Sequence, residues 1–141
     1  MNFLVPHDGS EHAYKALEQT VELSKKLGGA VKIEVIIVVP DLCLVDVGIN
    51  ECDTITGTLY KEAQGIRTKV NEKLAGLGAS AEIRIEAGNE VDNILKCADE
   101  LPADFIVIGA AGKHGAGRSG RLGSVTDKVV NKSDHSVMVI R

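Results

Sequence analysis

Apolar residues in this chain form short runs, separated by longer segments in which apolar positions recur every three or four residues. The short runs predict β-strands and the periodic segments predict amphipathic helices. The predicted strands are residues 2–5, 30–39, 81–88, 104–109 and 136–141. The predicted helices are residues 10–27, about 58–77, 89–100 and 124–133. Residues 41–57, which mix apolar and acidic side chains, are expected to be a loop with some local structure.

The alternation of strands and helices predicts a single α/β domain over residues 1–141, with a parallel sheet and helices on both faces. Residues 81–88 alternate apolar and charged side chains, so we expect an edge strand there, whereas the apolar run 104–109 favours a central strand. Ligands of such folds bind beyond the C-terminal ends of the strands. Two loops follow apolar strands there, "VPHDGS" (5–10) and "GAAGKHGAGRSGRLGS" (109–124), and together they predict the site.

Predicted buried positions follow the helical spacing. On the first helix they are Ala13, Ala16, Leu17, Thr20, Val21 and Leu27, with Gly28-Gly29 as the stop. On the second helix they are Leu59, Ala63, Ile66, Val70 and Leu74.

Charge and cysteine content narrow the function classes. The net charge of −4 argues against nucleic acid as a general partner. No signal peptide and no apolar run of membrane-spanning length is seen, so we expect a cytoplasmic protein without a membrane partner. Cys43, Cys52 and Cys97 lack metal-ligand spacing and are interpreted as reduced thiols. Neither they nor the histidines predict a metal site.

The second loop contains near-matches to two phosphate-binding motifs, and both fail. A Walker A motif requires Ser or Thr after Gly-Lys, but His114 follows Gly112-Lys113. Residues 115–120, "GAGRSG", match G-x-G-x-x-G, which in a dinucleotide-binding fold must leave a strand directly and precede an acidic residue by about 20 positions. This match begins well past the strand, and the position expected for the acid is near His135.

The larger spacing of glycines is more informative. Gly109 and Gly112 follow the strand, and Gly123 precedes a predicted helix that Ser124 caps, with Asp127 completing a capping box. Glycines there allow backbone to approach a ligand, and the first helical amides are suited to phosphate. The cations Lys113, Arg118 and Arg121 add positive charge without any acidic residue between them. The alternative is a flexible surface loop with solvated cations.

These residues resemble the universal stress protein family, whose ATP-binding members carry G-2x-G-9x-G-[S/T]. Here Gly109 and Gly112 are followed by ten residues and then Gly123-Ser124, one residue more than in the motif. The segments "FLVPHDGSEHAYKALE", "EVIIVVPD", "ADFIVIGAAGK" and "LGSVTDKVV" extend the resemblance along the whole chain. The resemblance implies a Rossmann-like, open five-stranded parallel sheet in the order 3-2-1-4-5.

The resemblance also implies the roles of individual residues in binding ATP, with or without Mg²⁺. Asp8 would accept hydrogen bonds from the ribose, and Val39 would contact adenine through its backbone. The remaining implied residues line the adenosine pocket (Pro6, His7), surround the ribose and first phosphates (Gly109, Ala111, Gly112, Lys113), or hold the outer phosphates (Gly123, Ser124, Val125, Thr126). Alternatively, Asp8 only forms a turn, and His7 is packed or solvated.

No Ser/His/Asp, Cys/His or paired-carboxylate arrangement emerges, so we expect a regulatory nucleotide-binding protein rather than an enzyme, with at most slow ATP hydrolysis. Two alternatives remain open: a stress protein without nucleotide that acts through protein contacts, and one that binds AMP or cyclic AMP. The apolar run 137–140 lies on the last strand, where the resemblance implies a homodimer by antiparallel pairing of residues 137–141.

Overall fold

The computed structural model describes residues 1–41, 49–112 and 121–141. The strands are β1 (Asn2–Pro6), β2 (Lys32–Val39), β3 (Glu82–Ala87), β4 (Phe105–Gly109) and β5 (Ser136–Ile140). The helices are α1 (Glu11–Leu27), α2 (Ile49–Gly76), α3 (Glu90–Glu100) and α4 (Ser124–Lys132).

The strands form one parallel sheet in the order β3-β2-β1-β4-β5, which confirms the predicted fold class. As predicted, β3 lies at one edge, β4 lies inside the sheet and β5 forms the other edge. Alternate residues of β1 face opposite layers: Phe3 and Val5 pack in one buried cluster with Leu17 of α1, and Leu4 packs in a second cluster with Ile94 of α3. The two helical layers therefore bury both faces of the central strand.

Helix α1 begins and ends where the sequence predicts. The Ser10 hydroxyl accepts a hydrogen bond from the Ala13 amide, and Gly28 ends the helix in a left-handed conformation with φ of 60°. A non-glycine residue adopts that conformation only at a cost in energy. The predicted inner face is buried except for Leu27, which is 46% exposed, so its assignment to the core was wrong. Leu27 is the last residue of α1, where the helix ends.

Helix α2 is longer than the sequence predicts, because it begins at Ile49 rather than near Thr58. The expected loop over residues 41–57 is therefore wrong for 49–57, and residues 42–48 lie outside the described ranges. Helix extension adds one hydrogen bond per residue once a nucleus exists, so a weak sequence such as one containing Gly57 can continue a helix anchored elsewhere. The anchor here is the buried face formed by Ala63, Val70 and Leu74.

The start of α4 corrects another prediction. Gly123, not Ser124, is the N-cap residue, and no side chain caps this helix, so the Ser124–Asp127 capping box is wrong. The Gly123 amide donates to the Ala110 carbonyl at 2.8 Å, and the Asp127 amide donates to the Gly123 carbonyl at 2.9 Å. This tie to the end of β4 moves the cap one residue toward the N-terminus.

Candidate functional site

A cavity of about 700 Å³ opens at the C-terminal ends of β1 and β4, between the two loops that the sequence singles out. Its walls combine residues from both loops with apolar residues of β2, α3 and β4. The lining residues are Pro6, His7, Asp8, Ser10, Ala13, Ile36, Val38, Glu90, Ile94, Ile108, Gly109, Ala111, Gly112, Arg121, Leu122, Gly123, Ser124, Val125 and Thr126. A cavity of this size is within the usual range for small-molecule sites.

The turn after β1 holds the Asp8 carboxylate at the cavity. Asp8 Oδ1 accepts a hydrogen bond from the Ser10 amide at 3.0 Å, which is an Asx turn. Gly9 between them has φ of 81°, a conformation that favours glycine. The turn reading of Asp8 is therefore correct, and the same turn also places the carboxylate among the lining residues.

The other carboxylate oxygen of Asp8 lies against the backbone of the second loop. A Cβ atom added to Gly112 would lie 2.5 Å from Asp8 Oδ2, a distance that real Cβ contacts do not reach. Gly112 therefore allows the two loops to meet, with a carboxylate of one beside the backbone of the other.

Gly109 has a structural requirement that the sequence did not suggest. An added Cβ would lie 2.7 Å from the carbonyl carbon of His12 in α1. The absence of a side chain thus allows α1 to pack closely on the end of β4. The expectation that Gly109 also lets the backbone approach a ligand stays a prediction.

The N-terminus of α4 presents backbone amides to the cavity. The first intrahelical hydrogen bond is donated by Asp127, so the amides of Ser124, Val125 and Thr126 precede the helical hydrogen-bond ladder. The side chain of Thr126 is already used, because its hydroxyl donates to the Gly109 carbonyl at 2.8 Å. That bond anchors α4 on β4. The group of Thr126 that can still interact with a ligand in the cavity is therefore its backbone amide.

Charged side chains lie at two parts of the cavity wall. Arg121 lies beside the start of α4, and Glu90 lies at the first turn of α3. Lys113 and Arg118, which the sequence predicts as further cations, lie outside the described residues. Sequence reasoning missed Glu90 and the apolar wall of Ile36, Val38 and Ile94. No local signal in the sequence indicated that α3 borders a cavity.

Val39, expected at the adenine, does not border the cavity. Its side chain is buried with Ile37 and Ala63 on the opposite face of β2, and its carbonyl accepts a hydrogen bond from the Gly88 amide at 2.9 Å. Its neighbour Val38 borders the cavity instead.

His7 borders the cavity but keeps its ring inside the protein, with 4% of the residue exposed. The ring contacts that of Tyr14 edge-on, with centroids 4.5 Å apart, and Nδ1 accepts a hydrogen bond from the Gly9 amide at 3.0 Å. Burial lowers the pKa of His7 to about 4, against the opposing influence of the Asp8 carboxylate. The packed interpretation of His7 is thus the correct one for its ring.

The described ranges contain no group of three or more His, Cys, Asp or Glu side chains suited to a metal ion. Cys97 is a buried free thiol that donates to Glu34 Oε1 at 3.3 Å, and burial, followed by Glu34, raises its pKa to about 12. Such a thiol is a poor nucleophile at neutral pH. No helix within these ranges has the length and hydropathy needed to span a membrane.

Comparison with known proteins agrees with this architecture. The model of the universal stress protein family matches residues 1–141, and this chain belongs to that family. The universal stress protein YxiE of Bacillus subtilis is 32% identical, over 98% of this chain and 97% of its own length. The universal stress protein MJ0531 of Methanocaldococcus jannaschii is 28% identical, over 98% of this chain and 80% of its own length.

Solved structures of the family share the fold closely. The universal stress protein UspA from Lactobacillus plantarum superposes with a TM-score of 0.87 at 25% identity, covering 100% of this chain and 97% of its own. The universal stress protein from Archaeoglobus fulgidus, solved in complex with dAMP, superposes with a TM-score of 0.72 at 25% identity, covering 100% of this chain and 98% of its own.

Proposed function

We propose that this protein binds ATP in the cavity at the C-terminal ends of β1 and β4, as a regulatory stress protein. The observation that carries the proposal is the convergence of three ligand-binding features on one cavity. These are the Asp8 carboxylate, the amides at the start of α4 and the Arg121 guanidinium. A nucleotide needs such a set, because its ribose carries hydroxyl groups that a carboxylate can accept from, and its phosphates are negatively charged.

The two ends of the cavity suit the two ends of a nucleotide. The amides of Ser124, Val125 and Thr126 would donate to the outer phosphates, whose charge is also favoured at a helix N-terminus. Arg121 would add a charge-assisted contact there, and Lys113 of the second loop is expected beside the ribose and first phosphates. Gly109, Ala111 and Gly112 would surround the ribose and first phosphates, and Gly123 would leave room for the others.

The Asp8 carboxylate would accept hydrogen bonds from the ribose, with Pro6 and His7 at the adjoining wall. The base would then lie toward β2, where Ile36 and Val38 provide apolar surface. Mg²⁺ commonly binds one or two carboxylates together with phosphate oxygens. Asp8 supplies a single carboxylate, so the phosphate oxygens would have to provide most of the ligands of the ion.

The relative solved with dAMP supports an adenine nucleotide as the class of ligand. It also favours a second candidate, AMP or another adenosine monophosphate, because dAMP carries a single phosphate. The three open amides of α4 and Arg121 favour ATP over these, since a monophosphate would use only part of that set.

We expect binding rather than catalysis, with at most slow hydrolysis. Within the described ranges, the carboxylates at the cavity are Asp8, in the turn after β1, and Glu90, at the start of α3, and its only histidine has a buried ring. This proposal includes a cytoplasmic location and no nucleic-acid or membrane partner.

The proposal also includes a homodimer, formed by antiparallel pairing of residues 137–141 of two copies. Strand β5 is an edge strand, and Val137, Met138 and Val139 remain only partly buried in the single chain. An isologous two-fold contact would cover that apolar edge in both copies.

Replacing Gly123 with valine tests the phosphate end of the site. An added Cβ would lie 3.2 Å from the Ala111 Cα, so the branched side chain would crowd the space between the second loop and α4. We expect ATP affinity to fall at least tenfold, about 1.4 kcal/mol, and AMP affinity to fall less. Isothermal titration calorimetry of the folded variant measures both constants.

Gly65→Val is the matched control, because Gly65 is exposed on α2 and an added Cβ there meets nothing within 4 Å. Equal losses for ATP and AMP would favour the monophosphate candidate. Unchanged affinities in Gly123→Val would contradict phosphate binding at α4, and a wild-type protein that binds no nucleotide would refute the proposed function.

A further inference from the structure

The exit of β1 is built from consecutive side-chain-to-backbone hydrogen bonds. His7 Nδ1 accepts from the Gly9 amide at 3.0 Å, and Asp8 Oδ1 accepts from the Ser10 amide at 3.0 Å. The Ser10 hydroxyl then accepts from the Ala13 amide at 3.2 Å. The backbone of His7 is itself held in the sheet, because its amide donates to the Ile36 carbonyl at 2.9 Å. Hydrogen bonds therefore hold the turn that carries Asp8 both before and after this residue.

The hydrogen bond from Gly9 fixes the state of the His7 ring. A backbone amide only donates, so Nδ1 must carry no proton, and in the neutral ring the proton is on Nε2. Nε2 is buried and has no hydrogen-bond partner among the described residues. Leaving a buried donor unpaired costs free energy, so the ring is not placed here to satisfy its own polar groups. What the ring does provide is an acceptor for Gly9.

We propose that His7 is a positioning residue for Asp8: through the acceptor Nδ1 it holds the Gly9 turn that directs the Asp8 carboxylate to Gly112 at the nucleotide cavity. The inference rests on the proposed function for its consequence in binding. It differs from a role in lining the adenosine pocket, because the ring acts on the backbone and not on the ligand.

The arrangement leaves little freedom to Asp8. Its Oδ2 lies so close to Gly112 that an added Cβ there would be 2.5 Å away, so a small rotation of the turn would drive the carboxylate into the second loop or away from it. Gly9, with φ of 81°, is also the residue in this turn that adopts other conformations most easily. A contact that restrains the Gly9 amide therefore acts on the residue of the turn that has the greatest backbone freedom.

A matched pair of variants isolates the acceptor. In His7→Asn the side-chain Oδ1 takes the position of Nδ1 and accepts from the second following amide, as asparagine commonly does in turns. His7→Leu has the same branching and nearly the same size but no acceptor. Both variants lose the ring contact with Tyr14, so that loss cancels in the comparison between them.

We expect His7→Asn to bind ATP at least tenfold more tightly than His7→Leu, by calorimetry on the full-length chain. We further expect the Gly9 and Ser10 amides to exchange hydrogen slowly in the wild type and in His7→Asn, and at least tenfold faster in His7→Leu, without nucleotide. Unfolding by urea identifies any variant that fails to fold, and His7→Gln, whose longer side chain misplaces the acceptor, then substitutes for His7→Leu.

Equal ATP affinities and equal exchange rates in the Asn and Leu variants would overturn the positioning role. If the wild type binds no nucleotide, the proposed function fails, while the exchange rates of Gly9 and Ser10 still decide whether His7 holds the turn. The two hypotheses are therefore refuted by different measurements.

Discussion

The two edges of the sheet are built in opposite ways. On β3, the charged side chains of Glu82, Arg84 and Glu86 alternate with isoleucines, whereas β5 carries the unbroken apolar run 137–140. Unpaired edge strands tend to pair with other chains, and charged side chains are a common defence. The difference indicates that one edge is protected from pairing and the other is suited to it.

The charges on β3 form ion pairs that reach into the protein. Arg84 contacts Glu86 at 2.8 Å, Glu100 of α3 at 2.8 Å and Glu34 of β2 at 3.4 Å. The Glu34 side chain is only 5% exposed, so its negative charge depends on this partner and on Lys32, whose Nζ lies 3.8 Å away. The protected edge is thus also an edge whose charges stabilise one another.

The edge of β5 has its outward hydrogen-bonding groups at known positions. The Ala110 amide donates to the Ile140 carbonyl at 2.7 Å, so the bonding groups of Ile140 face β4. Because these groups alternate along a strand, those of Val139 and Val137 face outward. By the same reasoning, the bond from the Gly88 amide to Val39 implies that Ile85 faces outward on β3.

Replacing Val139 with proline is expected to have the largest effect, the complete loss of the proposed dimer. Proline removes an outward amide without removing a hydrogen bond to β4, so the monomer should remain folded. Sedimentation velocity should show a dimeric wild type and a monomeric variant.

Ile85→Pro makes the matching change on the other edge and should leave the dimer intact. A monomeric wild type, or a dimeric Val139→Pro protein, would refute pairing through β5, and a monomeric Ile85→Pro protein would show that the edges do not differ in the proposed way.

Replacing Arg84 with methionine should destabilise the fold by about 3 kcal/mol, because removal of one partner leaves a buried charge on Glu34 insufficiently compensated. Urea unfolding measures the change. Arg84→Lys, which keeps the charge but not the geometry of the guanidinium, should lose less. If Arg84→Met is as stable as the wild type, the ion pairs of β3 protect the edge without stabilising it.

The smallest expected effect concerns pH and the start of β5. His135 Nε2 lies 2.8 Å from Asp99 Oδ1, and Nδ1 lies 2.8 Å from the Ala103 carbonyl oxygen, so both ring nitrogens face acceptors. The hydrogen bond with Asp99 is the main cause that raises the pKa of His135 above its usual value. The charged ring therefore stabilises the fold fully below about pH 6.5 and loses that effect as pH rises through the higher folded-state pKa.

We expect this contribution to be at most about 1 kcal/mol, since Asp99 is 76% exposed. The lowered pKa of His7 acts in the opposite direction near pH 6.5, but it is common to wild type and variants. Urea unfolding between pH 6 and pH 9 should therefore show the stability of the wild type falling relative to that of His135→Gln, and Asp99→Asn should reduce this difference as well. A difference that does not shrink as pH rises over this interval would contradict a charged His135 that anchors β5 to α3.

Local patterns predicted most of the architecture. Within the described residues, the apolar runs and the three-to-four spacing identified the five strands and four helices, and the charge alternation of residues 81–88 placed β3 at an edge. The same kind of reasoning failed where local preference was weak or was overridden by a distant contact. Helix α2 continues through Gly57, and α4 is capped at Gly123 because its amide is bound to Ala110.

The site could be predicted in part. The two loops singled out by their position after apolar strands do border one cavity, and ten of the twelve residues named for the site line it. Of the other two, Val39 points to the opposite side of β2, and Lys113 lies outside the described residues. The binding roles of all twelve remain predictions.

What the sequence determined by itself is information carried by near neighbours: the order and type of the elements, the Asp8 turn and the end of α1 at Gly28. These depend on residues within about four positions of one another, so their physical cause is visible in the linear chain. Only the tertiary structure decided which of Val38 and Val39 borders the cavity, why Gly109 faces His12, and that Asp8 meets Gly112. Each of these depends on the packing of segments far apart in sequence, where a few ångströms of helix position decide which atoms touch.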